Sequence, residues 1–79
     1  MDWEHTRAAL AAYDESEPDR ERLFESMETQ DDFEAWARAR DDAIAKVQDA
    51  FFEDCVAQDV PNSRDHCRLV GIEWLRSLA

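Results

Sequence analysis

The sequence predicts an all-α protein, a small bundle of about four helices built around one long helix at about residues 30–59. Three observations carry this expectation. Gly71 is the only glycine, and alanine, glutamate, aspartate and arginine dominate, so good helix formers fill the chain and strand formers are few. Apolar residues recur at steps of three and four, the period of a helix face. No glycine or proline stands between Thr29 and Pro61, which leaves room for one unusually long helix.

The first helix is expected over residues 2 to about 15. Trp3, Thr6, Leu10 and Tyr13 give one stripe, Asp2 can cap the start, and Glu4 sits in the first turn. Ala8, Ala9, Ala11 and Ala12 keep the remaining surface small enough for close approach by another helix. The stretch SEPDRER then ends this helix and starts another: Ser16 is a candidate cap, and Pro18 is tolerated in a first turn. In the second helix, about 17–27, Leu23, Phe24 and Met27 face one side and Glu17, Asp19, Glu21 and Glu25 face water.

The long helix starts at TQDDFEAW, where Thr29 can cap and Asp32 stands in the capping-box position. Phe33, Trp36, Ile44, Val47, Phe51 and Cys55 form its stripe, with Arg40 inside it. A charge in that row should snorkel or find a carboxylate, with Glu4 or Asp14 as candidates. DVPNSRDHC reads as a loop, after which Asn62 or Ser63 caps the last helical region. Cys67, Val70, Trp74 and Leu78 share a face if that region is continuous; Gly71 argues equally for two short helices.

Seventy-nine residues make a single domain, and chains this short bury only about 60% of their unfolded surface. The net charge of −11 is unevenly spread: −9 over residues 1–34, −3 over 35–59 and +1 over 60–79. Direct binding to nucleic acid or to an anionic membrane is disfavoured by that balance, and a basic protein partner is its complement. One lysine beside eight arginines also fits a protein adapted to high salt. No run of 18 apolar residues is present, and the acidic start MDWEHTR lacks the apolar region of a signal peptide. A cytoplasmic location follows as the expectation, with Cys55 and Cys67 as reduced thiols.

Phe51 and Phe52 raise the sharpest structural question. Neighbouring helical positions point about 100° apart, so Phe52 and Val56 widen the stripe of Ile44, Val47 and Phe51. A helix of this length measures about 43 Å, against a diameter of roughly 30 Å for a compact globule of 79 residues. The expectation is an apolar surplus around Phe52, covered by a second copy in an antiparallel homodimer. The alternative is that the C-terminal helix, with Val70, Trp74, Leu75 and Leu78, folds back over it.

Chemistry is sparse. Cys55, His66 and Cys67 are the only cluster of metal-ligand types, and they lack the spaced pairs of zinc sites. No oxyanion loop accompanies the Cys/His combination, and the paired acids lack EF-hand spacing. No catalytic residue, cofactor site or metal ligand is expected. Asp31, Asp42, Asp49 and Glu53 lie within about 40° of one line opposite the stripe, with Asp32 beside them. Such a row can imitate a phosphate backbone, although duplex DNA carries a charge per about 1.7 Å, so the first two helices must contribute.

The leading functional expectation is a non-enzymatic acidic protein that binds a basic surface of a partner and blocks nucleic-acid binding there. Small phage-encoded inhibitors of CRISPR or restriction systems act this way as a class; the likeness here is one of size and charge, carried by no motif. The alternative is a structural or assembly module that dimerises or docks through the apolar face of the long helix, its acids serving solubility only.

Overall fold

Five helical segments, α1 (Glu4–Glu15), α2 (Glu17–Glu25), α3 (Gln30–Ala57), α4 (Arg64–Cys67) and α5 (Ile72–Leu78), account for most of the chain. They are seen in a computed structural model that describes residues 2–79. Among the described residues there is no strand. The fold is all-α, as the helical periodicity and the scarcity of glycine predict. The molecule measures 46 × 23 × 15 Å, and α3, about 42 Å long at 1.5 Å per residue, runs through its long dimension.

α3 begins and ends on well-defined chemistry. The Thr29 hydroxyl accepts from the Asp32 N–H at 3.1 Å, while the Asp32 carboxylate accepts from the Thr29 and Glu28 N–H groups, closing the expected capping box. These backbone donors, Glu28 first, hold the Asp32 carboxyl below its ordinary pKa. At the other end Asp59 adopts φ 57°, Val60 N–H reaches Cys55 O at 2.8 Å, and Asp59 N–H reaches Val56 O. This Schellman arrangement, followed by Pro61, ends the helix at Ala57 rather than at 59.

α1 runs antiparallel to α3. Its buried side chains Trp3, Thr6 and Leu10 are those of the expected stripe, and Trp3 stacks on Phe51 with centroids 5.5 Å apart. The start of α1 departs from expectation. Trp3 holds the cap position and supplies no side-chain acceptor. Asp2 instead reaches Arg7, and its backbone is clasped by the Gln58 amide. The missing acceptor comes from α3: Asp54 Oδ2 takes the Thr6 N–H at 2.8 Å and the Thr6 hydroxyl at 2.7 Å, and Oδ1 takes the His5 N–H and Nδ1. Ser16 likewise does not cap α2. Its hydroxyl donates to Tyr13 O and accepts from Arg20, a buried side chain that also donates to Tyr13 O and stacks over the Tyr13 ring at 4.1 Å. Arg20 thus satisfies a carbonyl at the end of α1 and sets the angle at which α2 leaves.

The C-terminal region is two short helices, the second of the readings open from the sequence. Ser63 caps α4, and the buried Gln48 donates to the Arg68 and Val70 carbonyls at 3.1 and 2.9 Å, pinning the break before α5. Leu75 is fully buried, and Trp74 meets Phe51 edge-on at 5.6 Å. Arg76 forks onto Asp14, which lowers the Asp14 pKa and ties α5 to α1. Arg40, expected to reach Glu4 or Asp14, pairs with its neighbour Asp41 and lies over Trp36, while Arg76 takes Asp14.

Two measurements check this packing. Leu75→Ala should lower unfolding free energy in urea by about 2–5 kcal/mol, while Leu69→Ala, at an 82% exposed position, should stay within about 0.5 kcal/mol. Asp54→Asn should cost on the order of 1–3 kcal/mol at neutral pH, because one amide oxygen cannot replace two acceptors. Burial opposes ionisation of Asp54, but the Thr6 and His5 donors outweigh it and leave its folded pKa below 3.8. Its contribution is therefore present above that value and lost as pH falls through the folded pKa. The His5 pKa is raised above 6.5, first by its hydrogen bond to Asp54, so its contribution is full below 6.5 and fades as pH rises through the folded value. Urea midpoints measured against pH should flatten across both windows in Asp54→Asn.

Candidate functional site

Along α3 the buried side chains are Val47, Gln48, Phe51, Asp54 and Cys55, all in the C-terminal half. α1, α4 and α5 crowd against this half. Val47 and Phe51, expected on a docking face, are interior, and Ile44 is half-buried. Phe52 is also half-buried, packed against the core with the Arg64 guanidinium 4.6 Å above its ring. Val56 alone of the set is largely exposed. Of the chain's own C-terminal region it is Arg64 of α4 that covers part of the Phe52 ring, so this face offers a second copy less bare apolar surface than the sequence suggests.

The apolar surplus is real but lies at the opposite end. The N-terminal half of α3 has α2 beside it, with the last turn of α1 reaching it through Ala12 and Tyr13. Phe24 on α2 is 53% exposed and Phe33 on α3 is 48% exposed, and both rings meet half-buried Trp36, at 5.2 and 5.9 Å between centroids. Leu23 is exposed as well, against the expectation that Leu23 and Phe24 pack inward. The Arg40 guanidinium lies 4.8 Å over the Trp36 ring. Between α2 and α3 this leaves an open groove of about 510 Å³, lined by Tyr13, Glu17, Arg20, Phe24, Trp36 and Arg40 and edged by Glu21 and Glu25.

The expected acidic row divides. Asp31, Asp42 and Glu53 are exposed. Asp32 is committed to the capping box. Asp49 accepts from Arg64 and Arg68 at 3.4 and 3.0 Å, so two cations stand where the row needed a free carboxylate. The three exposed members follow one another at 11-residue steps, about 16 Å, far sparser than a duplex phosphate backbone. Acid is denser on α2, where Glu17, Glu21 and Glu25 repeat at four-residue steps of about 6 Å. None of the three forms an ion pair among the described residues, whereas Asp19 on the same helix pairs with Arg22. Residues 17–34 carry eight acids and two bases, a net −6.

Cys55 and Cys67 are free thiols in the core, and burial, with Cys55 adding, pushes the Cys67 thiol up in pKa. His66 is exposed, so the three do not converge. Among the described residues no group of three His, Cys, Asp or Glu side chains is placed to hold a metal ion. No described helix is long and apolar enough to cross a membrane.

Sequence periodicity marked Phe33 and Trp36 as core and the α2 glutamates as a solvated face, and so missed the groove. The signal that could have found it is positional: two apolar segments, Leu23–Phe24 and Phe33–Trp36, flank one short turn with no further element nearby in sequence to cover both. No family model matches this chain, and no curated protein and no solved structure is significantly similar to it.

The state of Phe52 can be measured directly. Phe52→Ala should destabilise the protein by on the order of 1–2 kcal/mol, less than the 3–5 kcal/mol of a fully buried phenylalanine, and leave the mass by light scattering unchanged. A fall in mass in the variant would place a second copy on this surface after all.

Proposed function

We propose that this protein is a non-enzymatic binder that docks on a basic surface of a partner protein, of the kind nucleic-acid-binding proteins turn toward phosphates, and so keeps nucleic acid away from it. The observation that carries this reading is the end formed by α2 and the start of α3. There, net charge −6 over residues 17–34 surrounds the exposed rings of Phe24 and Phe33. Carboxylates alone fit a merely soluble or salt-adapted surface. Half-exposed phenylalanines among them do not, because burying such a ring is worth about 1.5–3 kcal/mol. An apolar centre inside a charged rim is the composition of a protein-binding patch.

The same rings favour a second reading, an assembly module in which the apolar contact dominates and the acids serve solubility. Its contact surface is then Phe24 and Phe33, since Val47 and Phe51 are interior.

Salt separates the two. Basic partners captured from a lysate should be released steeply as ionic strength rises above about 0.15 M, where the Debye length is about 8 Å, and added oligonucleotide should displace the protein from them. Capture that ignores salt and is lost in Phe24→Ser supports the assembly reading. Stability that climbs with salt while no partner is retained supports salt adaptation and defeats both.

A further inference from the structure

α3 is covered unequally by its own chain. At its C-terminal half Phe51 lies between Trp3 of α1 and Trp74 of α5, so two helical neighbours flank one aromatic ring. At its N-terminal half Trp36 meets Phe24 of α2, and α1 reaches the same groove only through Tyr13 at its last turn. The groove between α2 and α3 is where a third helix would complete the packing found at the other end. Its floor is aromatic, from Phe24 and Trp36, with Phe33 against Trp36 on the α3 side. Its α2 edge is a row of glutamates, Glu17, Glu21 and Glu25, one helical turn apart. The groove holds two cations of its own, Arg40 over Trp36 and Arg20 over Tyr13, so an incoming cation belongs on the glutamate edge and the apolar part of a ligand on the rings.

From this geometry we infer that the α2–α3 groove is the docking site of a short amphipathic helix from the partner, bearing Lys or Arg at four-residue steps beside an apolar face. The apolar face covers Phe24 and Trp36, and the cations align with the three glutamates at matching rise. Charge complementarity selects this occupant over a second copy of the chain, whose own residues 17–34 carry the same net −6 and would be repelled. It is the helix-in-groove mode of recognition, with the glutamate row setting orientation and the aromatic floor supplying affinity. The inference rests on the reading of the protein as a binder of basic partners and locates that binding away from Asp42 and Glu53.

The test uses the intact protein and a synthetic helical peptide of on the order of 18 residues, about five turns, with Lys along one edge and Leu on the adjoining face. A permuted peptide of identical composition, without the amphipathic pattern, is the control. Fluorescence anisotropy of the labelled peptides should show the amphipathic peptide binding at least about tenfold tighter than the control. Phe24→Ser and Glu21→Lys should each weaken it about tenfold, while Asp42→Lys and Glu53→Lys leave it within about twofold. Glu21 is exposed, so an unchanged thermal melt should accompany its loss of binding; Phe24→Ser also removes a contact with Trp36 and should lower the melt modestly, and Phe33→Ser provides a second apolar variant. Equal binding of both peptides, or losses that follow Asp42 and Glu53 instead, overturn the groove as the site but leave the basic-partner reading standing. No binding of either peptide, with basic partners still captured from lysate, does the same. Absence of both peptide binding and basic partners overturns the two together.

Discussion

The Asp54 carboxylate is the constraint on which the rest of the molecule depends. α1 starts at a tryptophan, which offers its exposed backbone N–H groups no acceptor. Asp54, on the last turn of α3 and only 3% exposed, accepts four donors from His5 and Thr6. A buried carboxylate so completely satisfied is stable as an anion, and it lies at the positive end of the α1 dipole. Because the contact joins named atoms 48 and 49 residues apart, it also sets register. Once residues 5 and 6 are held at residue 54, antiparallel α1 can extend about 18 Å back along α3. α2, turned at Ser16 by the Arg20 contacts, must then land beside Phe33 and Trp36. A clamp at one end of the rod thereby determines what is left uncovered at the other.

The C-terminal segment reinforces that asymmetry. Gln48 holds the α4–α5 break through two carbonyls, Leu75 enters the core, and Arg76 returns to Asp14 on α1. The Gln48 contacts fall on the half of α3 that α1 already covers, and the Arg76–Asp14 contact falls on α1 itself. The chain has no remaining element for the first turns of α3. A radius of gyration of 14.1 Å, against about 12 Å for a compact chain of this length, records the result.

Much of this was legible in the sequence, and most of the failures have a common cause. The α1 stripe, the Thr29–Asp32 box, the uninterrupted long helix and the Ser63 cap are all local, set by residues within a turn of one another, and each stands where periodicity and capping rules put it. What escaped is mostly long-range. Asp2 has the right chemistry for a cap but is displaced by Asp54, 48 residues from Thr6; the Ser16 miss is local, its hydroxyl being taken by Arg20 four residues on. Phe52 and Phe33 both read as stripe or near-stripe positions. Which of them is covered depends on where the tail folds, and the period of a single helix carries no information about that. Asp49 was counted with the acidic row because two arginines 15 and 19 residues away cannot be paired with it from spacing alone.

The carboxylates divide by what they contact, and that division is what the proposed binding role rests on. Asp14, Asp32, Asp49 and Asp54 have structural work: two bind arginines of the C-terminal segment, and two accept backbone donors at helix starts. All four are aspartates, and in Asp32 and Asp54 the short side chain places the carboxylate close to the backbone it serves. Glu17, Glu21 and Glu25 stand on a longer tether, outward, free of ion pairs among the described residues and beside the exposed rings. A coat selected only for solubility has no reason to concentrate its uncommitted charge where the apolar cover is thinnest, nor to leave the last 20 residues at +1. Self-repulsion within residues 17–34 opposes compaction of that end, as does the wet surface of Phe24 and Phe33. A cationic apolar partner of the proposed kind would relieve both at once.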